Sequence, residues 1–218
     1  AGIAAATSLD ILNRLPSQWI NYDTQLSPTA FLIQIGFNVV ASTIYWSIIL
    51  IGTFLAAEGL TRLAFGSHIQ LWKIWKKNVA SSPAILKRTL IGYALVPVAL
   101  LFTCLFYLHT SSYLNWWIPS SSLVDPDVLA TYFPWLESIA ISLRAGFWEE
   151  CLFRAIPLAS AALLGSYFGK RNCFIAVAFI LQIFVFGAAH ANYPAQPAYA
   201  RVVELIFFSS VFGAVYLR

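Results

Sequence analysis

Phe147-Trp148-Glu149-Glu150-Cys151-Leu152-Phe153-Arg154 lies inside a long apolar segment that runs from about Trp135 to Leu164. Charges in such a segment are expensive, so an ionisable residue there is a functional hypothesis whose partner has to be named. On a regular helix at about 100° per residue, Glu150 and Arg154 lie one turn apart and within about 40° of each other. They can form an ion pair without outside help. Glu149 points about 140° away from Arg154 on the same geometry, which leaves it as the second acid of the stretch. A carboxylate set apart in apolar surroundings has the profile of a general base that holds a water. The bland reading stands beside this one: Glu150 and Arg154 can be a buried pair that only fixes helix register.

The composition agrees with a membrane setting. Only 10% of the 218 residues are charged and 60% are hydrophobic, whereas soluble domains carry about 25% charged residues. Mean hydropathy is +0.74, which points to a multi-pass integral membrane protein. The net charge of +4 arises largely from connections between apolar runs and is no nucleic-acid signal. Strand-like alternation is absent, which argues against a barrel. Cys104, Cys151 and Cys173 have no metal-ligand spacing and read as small apolar residues.

Outward from the opening stretch, residues 1–30 read as an N-terminal interfacial or extramembrane segment, with Pro16 breaking a helix built on Leu9, Ile11, Leu12 and Leu15. Residues 31–134 form an N-terminal membrane region of two spans and a basic loop. The first span runs from about Ala30 to Ala57 and the second from about Thr89 to Thr110, with Pro97 as an expected kink. Glu58 and Arg62 are four apart and are expected to pair at a helix end. Arg62, Lys73, Lys76, Lys77, Lys87 and Arg88 make the loop between these spans basic. Leu71, Trp72, Ile74 and Trp75 interleave with the lysines, as on an amphipathic helix lying on an anionic leaflet. Ser81-Ser82-Pro83 marks a turn and a helix restart. His68 in the loop and His109 at the end of the second span read as solvated and interfacial. The loop over 111–134 holds Asp125 and Asp127 and no Lys or Arg, so the charge rule puts the basic loop in the cytoplasm and this loop outside.

The third span carries the Glu-Glu stretch, the fourth runs from about Cys173 to His190, and the fifth from about Tyr199 to Tyr216. Arg201 and Glu204 are one turn apart and are expected to pair near the start of the fifth. The fold class that follows is all-α, a multi-pass transmembrane helical bundle with a cytoplasmic amphipathic surface helix.

The fourth span ends in Phe186-Gly187-Ala188-Ala189-His190. Phe186 and His190 share one helix face, and the small residues between them permit close helix approach. Glu149 lies about 15 residues before the intervening loop and His190 about 18 after it, so their heights differ by roughly 5 Å at 1.5 Å per residue. The two can face each other across an antiparallel pair and hold one water between them. The alternative for His190 is a helix-end cap on free carbonyls.

Glu149-Glu150-x-x-x-Arg154 and Phe186-x-x-x-His190 resemble the first and second motifs of the CAAX prenyl protease type II and bacteriocin-processing (CPBP) family of intramembrane proteases. The resemblance covers roughly the last third of the chain and makes residues 135–218 a CPBP-like core. It implies an all-helical membrane fold and an intramembrane endopeptidase that hydrolyses peptide bonds with a glutamate-activated water. Glu149 would activate the water and His190 would assist the attack or stabilise the intermediate. Glu150 and Arg154 would support the site, as would Phe186 through its place in the second motif. Zinc stays open, with Glu149 and His190 as its ligands if the metal is used. The partners implied are a protein or peptide substrate, membrane lipid and other membrane subunits, with no nucleic acid, in a bacterial inner (plasma) membrane.

The family usually carries a further His-x-x-x-Asn motif or similar pair on a later helix, and no His follows His190 here. The sequence is therefore expected to be a portion of a longer protein, truncated at its C-terminus. The alternative is a catalytically inactive CPBP-like subunit acting as a scaffold in a larger complex. A third reading, a transporter or proton relay using Glu149, Arg144 and His190, lacks a repeated half and a broken helix pair.

Overall fold

The computed structural model describes residues 2–66, 73–74, 76–119 and 129–218, and every element among them is helical apart from one isolated bridge. The helices are α1 (Gly2–Asn13), α2 (Leu15–Gln18), a 3-10 turn (Trp19–Asn21), α3 (Pro28–Phe65), α4 (Lys77–Ala80), α5 (Pro83–Leu114), α6 (Pro134–Glu149), a π-helical segment (Glu150–Ala155), α7 (Ile156–Tyr167), α8 (Arg171–Ala189) and α9 (Ala200–Tyr216). Most of the expected amphipathic helix, His68, and the acidic pair Asp125 and Asp127 lie outside the described residues.

Three helices among the described residues, α3, α5 and α8, are long and apolar enough to cross a membrane. With 38 and 32 residues, α3 and α5 measure about 57 Å and 48 Å, well beyond a hydrocarbon core of about 30 Å. α5 runs through Pro97 as one helix. It leaves Leu90, Leu100, Leu101, Leu105 and Leu108 exposed along its length, a surface that suits lipid and not water. Ser82 caps its start by accepting a bond from the Ile85 amide, and Pro83 follows in the first turn, as the Ser-Ser-Pro signal predicts. α9 has 17 residues, the lower end of the spanning range. The expected third span is two helices joined by the π segment.

The chain divides into two compact units, Ala1–Ala56 with Ser120–Leu152, and Ala57–Pro119 with Phe153–Arg218. In the first unit α1 packs on α6. Asn13 fastens them reciprocally: its Oδ1 accepts from the Phe133 amide at 2.6 Å and its Nδ2 donates to the Phe133 carbonyl at 2.9 Å. Arg14 adds an ion pair to Glu137 at 2.7 Å. α3 meets α6 through Trp46 on Trp148 and Phe54 on Phe147.

In the second unit α7 packs on α8 and α8 on α9. Gly169 closes the turn between α7 and α8 at φ +67°, a conformation that favours glycine. α8 and α9 approach closely at Gly187, where an added Cβ would stand 2.9 Å from Val202 Cγ1 and 3.3 Å from the Val202 carbonyl oxygen. The small residues before His190 thus do what the sequence suggests, at Gly187 in particular. Gly187→Leu is expected to cost about 1–3 kcal/mol by overpacking. Thermal unfolding of the detergent-solubilised protein checks this, and an unchanged midpoint would refute the close approach. α5 joins α9 through Phe102, stacked on Phe207 with ring centres 3.9 Å apart.

Candidate active site

Glu149 is the last residue of α6, and Glu150 is the first of the π segment. Both are half-buried and belong to the first unit. The π turn corrects the regular-helix geometry assumed from the sequence. Hydrogen bonds there run i→i+5, so the angles that set Glu149 apart from Arg154 do not carry across it. Pro157 is the physical reason and also the signal that marks the break. It sits in the first turn of α7 and has no amide hydrogen to give the preceding turn. Widening that turn keeps the proline ring off the carbonyl four residues back. Nearby, Arg144 stacks its guanidinium 4.5 Å over the Trp46 ring, which gives this cation an aromatic partner within its own unit.

Arg154, Phe186 and His190 belong to the second unit, and the structure brings all three together. Phe186 is the spacer. The Arg154 guanidinium lies 3.9 Å over its ring, and the His190 ring centre lies 4.5 Å from it. The phenylalanine of the second motif therefore connects the arginine of the first to the histidine. Phe153 closes the edge of the same ring at 5.2 Å.

Arg154 is 1% exposed. Its Nη2 reaches Ser209 Oγ on α9 at 3.4 Å, and Ser209 Oγ donates to Gln182 Oε1 at 2.8 Å. Gln182 Nε2 returns a bond to the Ser209 carbonyl at 3.1 Å. Gln182 and Ser209 are the residues sequence reasoning missed. A glutamine and a serine in apolar spans carry no pattern, and only the packing of α8 on α9 makes them partners. Ser209→Ala would leave Gln182 Oε1 buried without its donor, so a loss of about 1–3 kcal/mol is expected. Unfolding midpoints equal to the wild type would show that the network contributes nothing.

His190 caps the C-terminus of α8. Its Nδ1 lies 2.8 Å from the Phe186 carbonyl, which can only accept. Nδ1 therefore carries the proton in that bond, and Nε2 holds the lone pair of the neutral ring. The helix-end cap anticipated as an alternative is real, yet it also fixes a tautomer suited to chemistry at Nε2. On its other side His190 stacks with Tyr193 at 5.8 Å and 27°.

The expected Arg201–Glu204 pair forms at 2.7 Å, with the Glu204 side chain only 2% exposed. Tyr107 of α5 donates to the same oxygen of Glu204 at 2.8 Å, a contact no local spacing announces. The Glu58–Arg62 pair does not form: Glu58 Oε1 is buried without a hydrogen-bond partner, although the two are four apart. Correct spacing permits a pair but does not oblige two flexible side chains to make it.

Residues 131–218 match a family model described as type II CAAX prenyl endopeptidase Rce1-like. Neither a curated protein nor a solved structure matches the chain. The Rce1-like region contains both motifs, from Glu149 through His190, together with Ser209, Arg201 and Glu204. Among the described residues no three His, Cys, Asp or Glu side chains gather in one place.

Proposed function

We propose that this chain is an intramembrane endopeptidase in which Glu149 is the general base and His190 holds and orients the attacking water. The observation that carries this reading is the Rce1-like match over 131–218, which contains both motif residues. The tautomer of His190 supports it. A water has two O–H groups. Each residue suits one part of the step: a carboxylate such as Glu149 can take a proton from water, and Nε2 of His190 can accept a hydrogen bond from one. Glu149 removes the first proton as the oxygen attacks, and the same carboxyl group returns it to the leaving amine when the C–N bond breaks. Arg154 lies over the Phe186 ring, and that ring supports the imidazole. The substrate is a peptide presented at the membrane, and a bacterial inner membrane is the setting this reading assumes.

The test is cleavage of internally quenched peptides, with and without a C-terminal prenyl-cysteine, by the purified protein in proteoliposomes. Cleavage lost in Glu149→Gln supports the reading, and a preference for the prenylated set assigns the substrate class. A wild-type protein that is folded and cleaves neither set favours the alternative, an inactive subunit serving as a scaffold.

A further inference from the structure

The loop that follows His190 is fastened by more than its own turns. Trp117 and Gln196 exchange two backbone hydrogen bonds, at 2.9 and 2.8 Å, and Trp116 packs edge-on against Tyr199. Between these anchors and His190 stands Tyr193, whose ring lies on the imidazole. The same ring also meets a cation: Arg201 Cζ lies 5.2 Å from the centre of the Tyr193 ring.

Arg201 occupies the first turn of α9, where the helix dipole disfavours a positive charge. Two groups offset that cost. Glu204, one turn on, accepts from Arg201 Nη1, and Tyr107 donates to the same carboxylate oxygen from α5. The carboxylate is buried and has both donors supplied, which fixes the guanidinium against the Tyr193 ring.

We propose that Arg201 is a positioning residue for His190, acting through the Tyr193 ring, and that buried Glu204 with Tyr107 holds it in place. Arg201 touches no reacting atom in this scheme. It sets the plane of Tyr193, and Tyr193 sets the plane of the imidazole whose Nδ1 is already tied to the Phe186 carbonyl. The consequence for catalysis rests on the peptidase reading above; the placement of the ring does not.

The chain contains three histidines, His68, His109 and His190, so isotopically labelled histidine gives a spectrum in which His190→Gln identifies one signal set. In the full chain in detergent micelles, Tyr193→Leu removes the stacked ring and defines the full ring-current displacement of the His190 ring protons. Arg201→Leu combined with Glu204→Leu removes both charges and leaves no buried ion unpaired. It is expected to reproduce most of that displacement with unchanged helical content. Arg201→Lys keeps the cation and the ion pair and is expected to return the signal toward the wild-type position. A His190 signal that stays in place in the double variant overturns the proposal, and so does one that Tyr193→Leu fails to move. In the peptide assay the double variant is expected to lower kcat with KM unchanged. If the wild type cleaves nothing, the peptidase reading fails while the His190 spectrum still decides the positioning role.

Discussion

Glu149→Gln is expected to lower kcat by about 10²–10⁴-fold, the usual contribution of a positioned general base. Glutamine keeps the shape and can still bind a water, but it cannot remove a proton at neutral pH. KM should change little, because the lost interaction develops only as the bond to the water proton breaks. His190→Gln is expected to have a similar effect, since Nε2 loses its place on the water. The sharper result is the double variant. If both groups grip one water, removing the second after the first costs little more, and the double variant is about as slow as the slower single one. Effects that multiply would show two independent contributions and reject the shared water. Circular dichroism and unfolding midpoints close to wild type establish that each loss is chemical.

Arg201→Ala is expected to destabilise the second unit by about 3–5 kcal/mol. It leaves Glu204 with its side chain 2% exposed and its ion pair gone, and only the Tyr107 hydroxyl still bound. The Arg201 side chain is itself 24% exposed, so water entering its place can moderate the loss toward the lower end. Arg201→Leu with Glu204→Leu should cost much less, because no charge remains buried. Unfolding midpoints for the two singles and the double form a thermodynamic cycle. A double variant as unstable as the sum of the singles would show that the pair is not coupled, against the contact at 2.7 Å.

The family resemblance was legible in two short motifs because their charged residues and histidine are costly in a membrane and therefore conspicuous. Three of the five expected spans and the restart at Ser82-Pro83 were legible for similar reasons, the spans from length and hydropathy, the restart from capping chemistry. Three features were not read. Pro157 marks the π turn beside the Glu-Glu stretch, but a long hydrophobic run disguised it as an uninterrupted span. Glu58 and Arg62 have pairing spacing in the sequence and do not pair. Gln182 and Ser209 are ordinary residues whose importance comes from facing Arg154 and each other.

The sequence by itself determined that the chain is helical and membrane-bound, and which acid and which imidazole to suspect. Hydropathy and charge cost act on each residue locally, so they can be read along one dimension. Only the tertiary structure decided that Phe186 sits between Arg154 and His190, that the Phe186 carbonyl assigns the imidazole proton to Nδ1, and that Arg201 reaches Tyr193. Ring stacking and buried hydrogen bonds depend on how α8, α9 and α5 pack. Glu204 of α9 and Tyr107 of α5, 97 positions apart in the chain, meet only through that packing.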